Sequence, residues 1–307
     1  MKKIITLATL FITILCNSQS DIEAPKIFEP GVISTGYSEF NATFSLDGKT
    51  MYYSTTLPGW KTIAILKSKK NNGKWSTPEL ASFSKQYLNT DPFISVDGTK
   101  LFFSSDRPIS DSKDYRKWDY KIWVVSKSKD LWGAPKLLEG PFNNMESPLY
   151  PSVSSNNNLY FSQNGNLFCS EWKNEAYQTP YILKFSENFN DLDPIISRNE
   201  EFLIFASSNR KGGFGGTDLW ISFRVDREWK DPINLGSLVN SKNNEGQPGI
   251  SQDNKTLFFS TSKESNPTNK FSTYQDLKDY SHSHSNNSMD IYHVNLKKLL
   301  IKLKSNF

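Results

Sequence analysis

One arrangement of polar and apolar positions recurs five times along the chain. An apolar residue and a serine lead into a polar turn, and a run of aromatic and branched side chains follows. The copies run from Phe44 to Thr55, Ile94 to Ser105, Val153 to Ser162, Ile196 to Ser207 and Ile250 to Thr261. Their leading serines, at 45, 95, 154, 197 and 251, stand 50, 59, 43 and 54 residues apart. Each copy predicts a β-hairpin, because the turns carry Asp-Gly, Asn-Asn, Asn-Glu or Asp-Asn between strand-forming runs.

A third strand is predicted in each unit after a variable loop, around 62–66, 121–125, 166–168, 218–223 and 290–294. A fourth begins at Trp75 to Pro78, Trp132 to Pro135 and Trp229 to Pro232, with Tyr177 to Pro180 as a weaker copy. Proline suits the start of an outer strand, where its missing N–H breaks no central ladder. The last unit lacks such a strand, and Ile291 to Leu303 runs into a short basic tail. Ala24-Pro25-Lys26-Ile27 resembles Ala134-Pro135-Lys136-Leu137, so the N-terminal segment is expected to supply the missing outer strand and close a ring. The predicted fold is all-β, a β-propeller of four-stranded blades, five rather than six. Two β-sandwiches would not produce the fivefold register. Repeat starts fall near 39, 89, 146, 191 and 245, and residues 21–307 are read as one propeller domain.

Composition agrees with this reading, since 21 Phe, 13 Tyr and 8 Trp favour pleated, half-buried surfaces. The charge of +4, of which Lys2 and Lys3 contribute two, gives no basic groove for nucleic acid. Residues 1–20 read as a signal peptide, with Lys2-Lys3, an apolar stretch from Ile4 to Leu15 and small residues before a cut after Ser20. The periplasm or secretion follows as the expected location, with outer-membrane association as a variant. No later stretch is long enough for a membrane span. Cys16 raises the question of a lipid anchor, but Leu15 stands where such a signal needs a small residue. Cys169 then remains as the only cysteine and is read as a buried small hydrophobe.

The repeat resembles the TolB-like bacterial propeller family. Its motifs are matched by Asp91-Pro92 and Asp193-Pro194 before the hairpins, Asp97-Gly98, Phe102-Phe103, Asp218-Leu219-Trp220 and Asp290-Ile291-Tyr292. The resemblance spans residues 24 to 297 and implies a propeller scaffold and work in the periplasm. The family's named protein is a six-bladed ring, against five units here, and a scaffold hosts many functions.

Inner strands open with polar side chains two residues apart: Glu39 and Asn41, Asn89 and Asp91, Asp191 and Asp193, Glu245 and Gln247. The third unit departs to Pro148 and Tyr150, with Glu146 upstream. Such a ring is a candidate to bind a divalent cation, a sugar or a basic side chain, or simply to order the loops between blades. Asp91, Asp193, Glu39 and Glu245 form the catalytic pool for a glycoside hydrolase or lyase, where two carboxyl groups divide the proton transfers. Arg210 and Lys211, in the glycine-rich segment from Ser208 to Asp218, are candidates for an anionic ligand. That segment lacks the helix and terminal Lys-Ser/Thr of a nucleotide loop. His282 and His284 form a weak candidate metal pair in the insertion 262–287, and 111–118 makes a second long insertion. No serine-hydrolase elbow is present. The main expectation is therefore an exported, non-enzymatic recognition propeller that binds a protein or glycan of the cell envelope without a cofactor. A polysaccharide-active enzyme is the second reading.

Overall fold

Five antiparallel sheets follow one another along the chain in a computed structural model that describes residues 22–109, 116–129, 131–262, 271–284 and 286–304. The signal segment, Cys16 and residues 110–115 of the second insertion lie outside the described residues. Blade 1 runs outward from Ser38–Phe44 through Thr50–Thr56 and Ile63–Asn71 to the short pieces Lys74–Trp75 and Glu79–Leu80. Blade 2 repeats this with Asn89–Ile94, Lys100–Ser105, Lys121–Ser128, Leu131–Trp132 and Lys136–Leu137. Blade 4 does so with Asp191–Ile196, Phe202–Ser207, Asp218–Val225, Glu228–Trp229 and Ile233–Asn234.

Blade 3 consists of Leu149–Val153, Leu159–Gln163, Asn166–Ser170 and Tyr181–Ile182. Its Trp172–Lys173 and Ala176–Tyr177 pieces pair as a separate hairpin. Blade 5 has Glu245–Ile250, Thr256–Thr261 and Asp290–Asn295, and its outer strand is Lys26–Ile27, paired antiparallel through Lys26 with His293 and Ile27 with Tyr292. The expected closure by the N-terminal segment is therefore present.

The hairpin turns repeat because one local bond shapes them. Ser45 Oγ donates to Asp47, Ser95 Oγ to Asp97 and Ser251 Oγ to Asp253, at 2.6, 2.6 and 2.7 Å, and each aspartate also accepts a backbone N–H of its turn. The aromatic excess sits between blades. Five separate apolar clusters form, each centred on one junction of adjacent blades. Trp132 of blade 2 packs on Tyr52 of blade 1 and donates its Nε1–H to the phenol oxygen at 2.7 Å. Trp229 of blade 4 stands edge-on to Tyr160 of blade 3. The basic tail forms helix α2, Leu296–Lys304, whose Leu296, Leu299 and Leu303 join the junction of blades 4 and 5.

Candidate functional site

Every inner strand breaks register once, between Phe40 and Thr43, Thr90 and Phe93, Leu149 and Ser152, Leu192 and Ile195, and Gly246 and Gly249. The residue inside each bulge takes left-handed backbone: Asn41 at φ 62°, Asp91 at 56°, Tyr150 at 61°, Asp193 at 57° and Gln247 at 47°. Asn and Asp tolerate that region, whereas for Tyr and Gln it is strained. In four of the five the next residue is proline, at 92, 151, 194 and 248, which a bulge accommodates because the ladder is already interrupted. Five equivalent bulges thus present five polar side chains around the axis of the propeller.

These side chains bind across the blades. The Asn41 amide donates to Asp91 Oδ1, which also accepts from Thr90 Oγ1 at 2.8 Å, and Asp91 Oδ2 accepts the Tyr150 backbone N–H at 3.1 Å. Asp193 Oδ2 accepts the Gln247 N–H at 3.2 Å. The other three members end in buried atoms that no protein group satisfies: Asn41 Oδ1, Tyr150 Oη and Gln247 Oε1. Burial pushes the Asp91 carboxyl up to about 6, against the bonds from Thr90 and Tyr150 that favour its anion. Burial first, and the Asp91 charge second, push Asp193 up to about 7. Asp91 has 7% of its surface exposed, and Asp193 as a whole residue is half-buried. Asn41, Asp91 and Tyr150 also line a narrow channel of about 40 Å³ that runs to the hairpin turns at Ser251 and Asn254.

The residues two positions earlier occupy a different tier. Glu39 accepts from the N–H and hydroxyl of Thr35 at 3.0 and 2.5 Å, and Glu245 does the same with Ser241 at 2.9 and 2.5 Å. Asn89 donates to Gln86 O and Tyr87 O and accepts from Arg107 at 2.7 Å. Asp191 is held by Arg210, whose guanidinium also lies 4.0 Å from the Phe189 ring. All four are buried, and their bonds order the loops leading into the blades. Burial pushes Glu39 up to about 8. Arg210 faces inward, with 7% of its side chain exposed.

His282 Nδ1 lies 2.7 Å from Lys278 O, at the end of helix α1, Tyr274–Ser281, and no cluster of three His, Cys, Asp or Glu able to hold a metal forms among the described residues. Two tiers, rather than one ring, are thus what the paired polar positions build. Tyr150, which sequence reasoning set aside as a departure, belongs to the inner one. The polar-proline steps at Tyr150-Pro151 and Gln247-Pro248, alongside the two Asp-Pro steps, are the signal that marks it.

The face where inner strands begin and second strands end carries exposed aromatics. Tyr37, Tyr87 and Phe189 precede inner strands, and Trp60, Trp118 and Phe214 stand on loops between second and third strands, each 38–49% exposed. Trp60 packs on Phe40, the neighbour of Asn41, with ring centroids 5.5 Å apart.

No protein-family model and no curated protein matches the sequence, so the TolB-like likeness stays a resemblance of motifs. Among solved structures, the fold is similar to a gluconolactonase of Xanthomonas campestris, at 10% identity over 90% of this chain and 96% of that one, with a TM-score of 0.46. An endo-arabinase of Bacteroides thetaiotaomicron is similar at 11% identity, over 88% and 97%, with a TM-score of 0.49. A GH43 protein of Bacillus licheniformis is similar at 11% identity, over 77% and 51%, with a TM-score of 0.48. At these identities the likeness shows the fold alone and transfers no activity. The expectation of a non-enzymatic role is nonetheless corrected, because one scaffold hosts enzymes and binders alike and carries no negative. A propeller gives no reason to favour binding over chemistry.

Proposed function

We propose that this protein is a carbohydrate-active enzyme, a glycoside hydrolase or lyase, that works at the inner ring with Asp193 as proton donor and Asp91 as the anion beside it. The observation that carries the reading is the composition of that ring. Two carboxyl groups poised at about 6 and about 7 share it with three polar atoms that lack a protein partner. Near neutral pH Asp193 keeps more of its proton than Asp91 does, the division of labour that acid–base cleavage needs. Asp193 passes its proton to the leaving glycosidic oxygen as its bond to carbon breaks, and that carbon bonds to the oxygen of water in hydrolysis or enters a C=C double bond in elimination. The balancing proton, from water in hydrolysis or from a sugar carbon in elimination, goes to Asp91. Sugar hydroxyls donate to Asn41 Oδ1 and Gln247 Oε1. The export segment read at residues 1–20 sets this work in the periplasm or outside the cell.

A degradation screen of the mature protein on a glycan panel tests the reading. Products are expected from at least one glycan, and Asp193→Asn, with unchanged circular dichroism, should reduce their formation about 100-fold or more. Saturable binding without products, or full turnover by Asp193→Asn and Asp91→Asn alike, overturns it.

A further inference from the structure

Between blades 1 and 2, on the aromatic face, an open groove of about 480 Å³ is lined by Lys61, Lys85 and Lys117 together with Gln86, Tyr87 and Thr62. The three lysines come from three different loops and are all exposed. Lys117 Nζ reaches across the junction to donate to Lys61 O at 3.2 Å and lies 5.3 Å from the centre of the Trp118 ring. That contact leaves further donors on the same ammonium. Among the described residues no carboxylate forms an ion pair with any of the three. The acid beneath them, Asp106, is buried, and it accepts the N–H groups of Leu88 at 2.8 Å and Trp118 at 3.3 Å. Nearby surface acids are paired elsewhere, Glu79 with Lys67 and Asp119 with Lys121. On a chain whose whole net charge is only +4, this is a local concentration of cations with aromatic neighbours.

We infer that this groove binds an acidic polysaccharide, one bearing carboxylate or sulfate groups. The inference rests on the carbohydrate reading above and names its substrate class. Trp60 bounds the loop that carries Lys61 and packs on Phe40, which fixes one wall of the groove on blade 1. Ammonium groups spaced on separate loops suit charges repeated along a polymer. The exposed rings of Trp60, Tyr87 and Trp118 suit the flat faces of its sugars.

Binding is measured by affinity electrophoresis and biolayer interferometry with polygalacturonate, its fully methyl-esterified form and polyglutamate, at low salt and in 0.5 M NaCl. Products are scored separately by reducing-end release. Polygalacturonate should bind tightest and lose its advantage in high salt. Lys61→Gln, Lys85→Gln and Lys117→Gln should each weaken its binding by about threefold, and the triple variant by about tenfold or more, leaving the ester form unaffected. Equal binding of the charged and esterified polymers, equal binding of polyglutamate, or an unchanged triple variant overturns the inference. Lysine-dependent binding without products overturns the enzymatic reading alone. Products from neutral glycans with no preference for charge overturn this inference alone.

Discussion

Arg210 grips Asp191 with two nitrogens, Nε to Oδ1 at 3.0 Å and Nη2 to Oδ2 at 2.5 Å, where the chain enters blade 4. The same Nη2 donates to Phe185 O at 2.7 Å. Blade 2 builds the same device with a neutral partner: Arg107 donates to Asn89 Oδ1 at 2.7 Å and to Phe83 O at 3.1 Å. Both pairs fasten the loop before an inner strand, which explains why Arg210 is an architectural cation. Arg210→Ala would leave the fully buried Asp191 unpaired, and a loss of about 3–5 kcal/mol is expected. Asp191→Asn recreates the blade 2 pairing and should cost about 1–2 kcal/mol. Urea unfolding of the two variants measures the difference, and equal losses would refute the assignment.

Stability should fall as pH rises from about 5 to about 8. Glu39, Asp193, Asp290 and Asp91 are held up to about 8, 7, 7 and 6, in each case chiefly by burial. The folded state therefore binds protons that the unfolded chain has already released. Their contribution is complete below the ordinary carboxylate range and is lost as pH climbs through the folded-state values. The thermal midpoint is expected to be higher at pH 5 than at pH 8, and Glu39→Gln should flatten that slope. A midpoint that rises with pH would contradict the protonation assigned to these groups.

The same ring sets the pH dependence of catalysis. Turnover should decline below about 6 as Asp91 gains a proton and above about 7 as Asp193 loses one, giving a narrow bell whose limbs belong to the coupled pair. Asp91→Asn should remove the acidic limb and lower the basic one, because the Asp91 charge is part of what raises Asp193. A rate profile flat from pH 5 to 8 would exclude this pair as acid and base.

What could be read in the sequence was what a few consecutive residues build. Ser45 with Asp47 and Ser95 with Asp97 are local bonds, so their turns recur as visible motifs. The tryptophans of blades 2 and 4 were legible because both blades reuse one contact on the preceding blade, Trp132 on Tyr52 and Trp229 on Tyr160. The inner tier was only half legible. Alternation alone suggests that Glu39 and Asn41 share a face of one strand, but the bulge at Asn41 rotates it to a separate set of partners. Lys61, Lys85 and Lys117 carry no motif at all, since only the junction of two blades brings them into one groove.

Closure of the ring rests on a strand of two residues, Lys26–Ile27, and its hold comes from the next side chain. Phe28 stands edge-on to Phe44 and Trp75 of blade 1 and to Phe258 and His293 of blade 5, with ring centroids 5.3–6.1 Å away. Its N–H also donates to Ile291 O at 2.7 Å. A side chain wedged between first and last blades stabilises the junction through both, and its backbone bond survives substitution. Phe28→Ala should therefore lower the unfolding free energy by about 2–4 kcal/mol while keeping the strand pairing. Hydrogen exchange gives the sharper reading. Amides of Asp290–Asn295, the blade 5 strand beside Lys26–Ile27, should lose protection first, ahead of those in blade 3 on the far side of the ring. Uniform loss of protection across all blades would mean that the ring unfolds as one unit and that the closure is not its weakest joint.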